Sequence, residues 1–498
     1  MTVTSPAPAA IAALHTGLYI DGRWGPAASG ATFAVTNPAT GALLTHVADG
    51  GIDDARRALD SASRQQARWA ATPPRTRSEI LYRAYDLIVE RADEIAAVMT
   101  AEMGKPLAEA RGEVAYGAEF FRWFAEEAVR IGGDHTTTGD GANRIVVSKQ
   151  PVGPCILITP WNFPLAMGTR KIGPAIAAGC TMVFKPAELT PLTALLLAAI
   201  LAEAGLPDGV LNMVTTSDPA AVVGEWMSSG AARKVSFTGS TEVGKTLLRQ
   251  AAGTVMRTSM ELGGNAPFIV CADADLDRAV DGLMVAKMRN MGQACTAANR
   301  IFVHRNVIDE FTGKLAEQMK ALVVGDGSVA GTQVGPLVEA AAVDKVTTLV
   351  DDALGRGARV MTGGVRPDGP GHFYPPTVLT DVHPDSELMR TEIFGPVAAL
   401  TPFGSTESDG IDEVLTLAND TPWGLVGYAY TQDVDRADRL SDALQVGMVG
   451  INTGLVSNPA APFGGVKESG LGREGGRLGI EEFLDVKYVA RPIRGAAG

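Results

Sequence analysis

Cysteine is scarce in this chain: four residues in 498, Cys155, Cys180, Cys271 and Cys295, with no CxxC pair. So few thiols in so long a chain exclude a disulfide framework and point to a reducing cytoplasm. Histidine is equally thin. The six are scattered, with no HExxH and no paired ligand spacing, so no metal site is expected. Positive charge is in deficit, with 43 Lys and Arg against 56 Asp and Glu, a net charge of −13. A general nucleic-acid binder needs a basic face, so no nucleic-acid partner is expected. A nucleotide ligand stays open, because backbone N–H groups can hold phosphates. Long apolar runs are missing too. LLLAAILA at 195–202 meets Glu203 at once, far short of a membrane span, and reads as a buried helix. MTVTSPAPAAIAALHTG at 1–17 has no charged n-region and reads as a disordered tail rather than a signal peptide. There is no GxSxG elbow and no repeat of 20–50 residues.

What remains is the composition of a large soluble enzyme, 46% hydrophobic and 20% charged. Its length suggests about three domain-sized units, or two with an appendage. Residues 52–131 carry helical periodicity, with Phe120 and Phe124 one turn apart, and Gly132-Gly133 ends the run. NRIVVSKQ at 143–150 alternates like a strand. Short apolar runs then alternate with helix-like stretches: CILIT at 155–159, TMVFK at 181–185 and KVSFT at 234–238. Between the last two, Thr190 is the expected N-cap of a helix with Pro191 at its first position and a stop at Gly205. This βαβ rhythm predicts a parallel sheet covered by helices. A second such unit begins near 257–260, with strands at PFIV 267–270, RIFV 300–303 and RVMTG 359–363. FLDVKYVARPI at 483–493 is a terminal strand without a local partner, and such strands often pair elsewhere, including on another subunit.

Chemistry concentrates in two short blocks 34 residues apart, ELGGN at 261–265 and GQAC at 292–295. The first offers the carboxylate of Glu261 in a Gly-rich turn, the second the thiol of Cys295. A thiol can attack a carbonyl and a carboxylate can later activate water, splitting one reaction into acylation and hydrolysis. Cys155, Cys180 and Cys271 lie in apolar runs and read as inert packing, whereas Gly292, Gln293, Thr296 and Asn299 give Cys295 a polar, accessible setting. Glu261 can also cap a turn or pair with an arginine. In ITPWNFP at 158–164, Asn162 is either a turn residue or a neutral donor for a developing oxyanion. FTGSTEVG at 237–244 sets small residues between a strand and a helix, so Gly239 lets backbone approach a ligand and the helix start offers free N–H groups. KPAE at 185–188 follows a strand end, where ligands gather in open α/β sheets; Glu188 is either a solvated helix-start residue or part of such a site.

Taken together, ELGGN, GQAC, ITPWNFP, FTGSTEVG, EIFGP at 392–396 and PFGGVKESGLGRE at 462–474 resemble the aldehyde dehydrogenase superfamily. Along almost the whole chain the resemblance is to its succinate-semialdehyde dehydrogenases, most specifically in MGKPLAEARGEVAYGAEFFRWFAEE at 103–127 and VGINTGLVSNPAAPFGG at 446–465. The resemblance implies an α/β fold with two parallel-sheet domains. A Rossmann-like NAD-binding domain takes 1–133 and 151–257, a catalytic domain 258–450, and a small β bridging or oligomerisation element 134–150 and 480–498. It implies Cys295 as nucleophile, Glu261 as deacylation base, and Asn162 with the Cys295 amide as oxyanion hole. Thr159, Pro160, Trp161, Lys185, Glu188, Gly239, Ser240, Gly244, Leu262, Glu392 and Phe394 would hold the dinucleotide. Arg170, Arg289 and Ser457 would bind the substrate's far carboxylate, a fitting use of guanidinium forks. Glu474 is a secondary candidate for proton relay. A carboxylate at Glu188 accepts ribose hydroxyls and repels a 2′-phosphate, which favours NAD and leaves NADP open. The expected partners are a small aldehyde and further copies of the chain, as homodimer or homotetramer. Glutarate semialdehyde is the alternative substrate. Some relatives carry a second cysteine two residues after the nucleophile; Ala297 stands there in this chain, which excludes a local disulfide switch.

Overall fold

The computed structural model describes residues 7–493. Two large sheets organise it. In the first, five strands run parallel in the order Leu211–Met213, Met182–Lys185, Cys155–Ile158, Lys234–Thr238 and Arg257–Glu261. Leu18–Ile20 and Arg23–Gly25 extend one edge antiparallel, and Gly470–Leu471 closes the other. The second sheet has seven strands. Thr377–Thr380, Val397–Phe403, Ala298–His304, Ala266–Val270, Val426–Tyr430 and Met448–Ile451 are parallel, with Arg359–Thr362 antiparallel at the edge. The central strands are continuous apolar runs because helices cover both faces. The α/β class is therefore as expected, with the run at 359–363 forming an antiparallel edge.

The terminal strand does find a partner within the chain. Leu484–Pro492 pairs along its whole length with Asn143–Pro151, which also pairs with Asp134–Thr137. Residues 494–498, assigned to the same element, lie outside the described residues.

Two expectations are corrected and a third is borne out in position only. Residues 7–13 of the supposed disordered tail form a helix whose Ala7 and Ile11 are buried, so apolar burial orders that segment; 1–6 lie outside the described residues. The division at 257/258 cuts through a strand: Arg257–Glu261 hydrogen-bonds to Lys234–Thr238, so 258–261 belong to the first sheet, and the second begins at Ala266. Thr190 holds the N-cap position with Pro191 first in the helix, as expected, but its side chain makes no capping hydrogen bond. Its hydroxyl donates to the Trp161 carbonyl (3.2 Å), and the buried carboxylate of Glu102 accepts from the Leu192 and Thr193 amides (2.7 and 2.8 Å). Three strands of the first sheet, ending at Ile158, Thr238 and Glu261, place their C-terminal ends toward one crevice, and the second sheet supplies the opposite wall.

Candidate active site

The crevice narrows to a cavity of about 380 Å³ between the sheets. Cys295 is half-buried in its wall, on the turn that follows the short helical segment Arg289–Gly292. That segment is itself sharply wound. Asn290, Met291 and Gly292 all have φ between 54° and 74°, and a Cβ at Gly292 would stand 2.1 Å from the Gly395 carbonyl oxygen, so only glycine fits there. The two sequence blocks meet physically: a Cβ at Gly264 would lie 2.8 Å from the Cys295 carbonyl oxygen. Tyr428 holds the far side of the loop, its hydroxyl donating to the Thr296 carbonyl at 2.9 Å.

Burial pushes the Cys295 thiol up to about 12; Glu392 and Glu261 add to the shift, and Arg170 and Arg289 oppose it. The resting group is a neutral thiol, less exposed than its polar sequence neighbours suggest. Asn162 Nδ2 donates to the Gln293 carbonyl at 3.0 Å, on the same loop as Cys295. An amide nitrogen carries two hydrogens, so one remains for a ligand.

Glu261 ends its strand with both carboxylate oxygens buried and, among the described residues, without a hydrogen-bond partner. Burial, and then the neighbouring Glu474, push its carboxyl well above the ordinary carboxylate range. It lies against Gly464 and, unlike Leu262 and Gly263, does not line the cavity wall. Behind it sits a charged corridor. Glu474 pairs with Lys171 and lies 2.5 Å from Arg170 Nε. Burial alone would raise Glu474, but Lys171 and Arg170 together hold it below the usual range.

At the far end of the cavity, Arg289 Nη1 donates to Ser457 Oγ at 3.1 Å, and its guanidinium lies over the rings of Phe163 (4.8 Å) and Tyr116 (5.6 Å). Among the described residues it ion-pairs with no carboxylate. Arg170 also lines the cavity, but it is fully buried, paired with Glu474 and stacked on Phe463 at 4.2 Å. A second cavity, about 580 Å³, shares Tyr116, Phe163, Arg289 and Ser457 with the first and adds Glu109.

Pro160, Trp161, Gly239, Ser240, Leu262, Glu392 and Phe394 line the main cavity as well. Ser240 caps the helix Thr241–Ala252, accepting from the Val243 amide, and Gly244 in that helix packs on Leu262. Phe394 stands edge-on to Trp161 at 5.5 Å. Glu392 accepts from the Gly264 amide at 3.2 Å, and burial raises its carboxyl to about 7. Thr159, Lys185 and Glu188 lie outside this wall; Lys185 Nζ is 2.9 Å from Glu188. The residues present fit a nicotinamide dinucleotide. Among the described residues, Thr238 Oγ1 is buried at the wall without a partner, a helix N-terminus opens beside it, and the Glu392 carboxylate takes a single protein hydrogen bond.

Residues absent from the sequence-derived site include Tyr116, Met167, Phe463 and Lys345, all on the wall. Tyr116 lies inside the family-specific stretch 103–127, which held the signal but no assignment to a cavity. Lys345 falls in a helix with no motif.

Comparison with known proteins is consistent with this geometry. The model of the aldehyde dehydrogenase family matches residues 24–489, and the chain belongs to that family. It is 56% identical over 447 residues to a succinate-semialdehyde dehydrogenase of Paenarthrobacter nicotinovorans, covering 90% of this chain and 98% of that one. It is 49% identical to a glutarate-semialdehyde dehydrogenase of Pseudomonas putida, covering 95% and 96%. Among solved structures, an NADP-dependent enzyme of E. coli superposes with a TM-score of 0.94 at 48% identity, covering 96% of this chain and 98% of that one.

Proposed function

We propose that the protein oxidises succinate semialdehyde to succinate through a thioester on Cys295, using NAD, with NADP accepted. The observation that carries this reading is the pairing of Arg289 with Ser457 and no carboxylate, on the wall of the cavity that also exposes a thiol. A guanidinium without an acidic partner, stacked between rings, suits a substrate carboxylate, and the distance between the ends sets the chain length. Arg170 adds cationic charge to the same wall while anchored by Glu474.

The Cys295 sulfur, after losing its proton to solvent water, attacks the aldehyde carbon and forms an S–C bond while the carbonyl π pair moves onto oxygen. Asn162 Nδ2 and the Cys295 amide face the oxyanion that develops. When bound, the dinucleotide supplies the hydride acceptor. Collapse of the oxyanion breaks the former aldehyde C–H bond, expels its hydrogen as hydride and leaves a thioester on Cys295. Glu261, swung toward the cavity and ionised, takes a proton from water as the water adds to the thioester; the S–C bond breaks, releasing succinate and the thiol. Arg289 and Ser457 hold the far carboxylate throughout, so the aldehyde is presented to sulfur as a near-attack pair.

Glu188 supports NAD by offering a carboxylate to ribose hydroxyls; Lys185 beside it leaves room for a phosphate. Among the described residues no helix is long and apolar enough to cross a membrane, and four free cysteines fit a reducing cytoplasm. The exposed strand Leu484–Pro492, with Val486 and Tyr488 uncovered, supports assembly of dimers or tetramers through this edge. The P. putida relative favours a second reading, glutarate semialdehyde, since one methylene changes discrimination by only about 1–3 kcal/mol. Steady-state rates with both semialdehydes, butanal, NAD and NADP test the proposal. Succinate semialdehyde with NAD should give the highest kcat/KM; equal efficiency with butanal would overturn the carboxylate clamp.

A further inference from the structure

Asn162 and the Cys295 loop flank different sheets, yet the amide of one and the sulfur of the other must stay in register. The residue between them is Asn290. It is completely buried and held in the left-handed region (φ 54°, ψ 39°), a conformation that asparagine and glycine tolerate best. Its Nδ2 donates to two backbone carbonyls at once, that of Asn162 at 2.9 Å and that of Gln293 at 3.0 Å. Gln293 is also the acceptor for the Asn162 side chain. Both hydrogens of the Asn290 amide are thereby used, and a flip would set its oxygen against two carbonyl oxygens, so the orientation is fixed. The backbone N–H of Asn290 is in turn taken by the Glu109 carboxylate at 2.6 Å, and Lys105 Nζ supplies the second donor to the Asn162 carbonyl at 2.8 Å.

We infer that Asn290 is a positioning residue of the oxyanion hole: its carboxamide bridges the Asn162 peptide to the nucleophile loop and so aims the free hydrogen of Asn162 Nδ2 at the aldehyde oxygen. Asparagine is needed twice over, for the left-handed backbone and for two donors on one atom. Glycine satisfies only the first requirement. Aspartate keeps the shape and sets acceptors where donors are required.

The inference deepens the reading of Cys295 as nucleophile and Asn162 as oxyanion donor, and rests on it. Two reactions of Cys295 that need no dinucleotide separate aim from structure. Acylation by p-nitrophenyl acetate passes through an oxyanion; alkylation by iodoacetamide does not. In Asn290→Gly, acylation and the aldehyde kcat should fall about 10- to 100-fold, less than the about 10²–10³-fold cost of deleting an oxyanion donor outright. Alkylation and the KM for aldehyde should stay within about twofold. Asn290→Asp should behave alike and serves if the glycine variant does not fold. Once Asn162 is alanine, adding Asn290→Gly should change acylation by less than about twofold, because the two act as one unit. A parallel fall in acylation and alkylation, no fall in either, or additive effects in the double variant would each overturn the assignment. Acylation that persists in Cys295→Ala would instead reject the underlying reading of the nucleophile.

Discussion

Arg170 and Arg289 line the same cavity, and they differ in what already satisfies them. Arg170 is fully buried, with Glu474 beside its Nε and Phe463 under its plane. Arg289 has a hydroxyl, two aromatic rings and, among the described residues, no carboxylate at ion-pair distance, with the buried Glu109 feeling its charge from farther off. A guanidinium matched to a buried acid is chiefly a part of the fold. One held between rings and a serine keeps its fork for a ligand. Identical side chains at one cavity therefore carry different duties, and the partner decides which.

The comparison can be broken by substitution. Arg170→Met leaves Glu474 buried with only Lys171, and breaking such a pair costs about 3–5 kcal/mol, read by urea unfolding. Arg289→Met should lower stability by less than about 1 kcal/mol, since it removes no ion pair. It should instead cut kcat/KM for succinate semialdehyde about 100-fold, in line with the about 1.5–3 kcal/mol of a hydrogen bond to a charged group, and leave butanal nearly unchanged. If the two variants exchange these signatures, the division of labour is wrong.

Proton chemistry sharpens the same contrast. The Cys295 thiol sits near 12, so it is neutral at pH 7 and gains thiolate as pH rises. Its alkylation in the free enzyme should accelerate about tenfold per pH unit from 7 to 10 without a plateau. Both arginines oppose that shift, so Arg289→Met should slow alkylation at every pH in this range. A plateau near pH 8 would show that the free enzyme holds a more acidic thiol than burial implies. The smallest effect is expected of Ser457→Ala, which removes one hydrogen bond, about 0.5–1.5 kcal/mol, and should appear as a several-fold rise in KM for the acidic aldehyde alone.

Most of the architecture was readable because short apolar runs such as CILIT and KVSFT must be buried on both faces, which only a covered parallel sheet provides. The motif residues were readable as chemistry: a thiol beside glycines, a carboxylate in a Gly-rich turn. What stayed hidden was pairing across long separations. Nothing local to Thr190 reveals that Glu102, 90 residues before Leu192, caps its helix. Nothing near Arg170 announces Glu474, although each residue lies in a recognisable motif. Asn290 is silent in the sequence because its importance lies in a left-handed turn and two remote carbonyls, neither of which has periodicity. The domain division fell inside a strand because Arg257–Glu261 takes its neighbours from the earlier sheet while its motif faces the later one.

The most direct test of the central claim is the mass of the Cys295 peptide from Glu261→Gln enzyme, quenched in acid while it turns over succinate semialdehyde with NAD. With acylation intact and hydrolysis slowed, a succinyl thioester should accumulate on Cys295 alongside a burst of reduced cofactor. An unmodified Cys295 peptide, recovered while that burst is visible, would contradict the account.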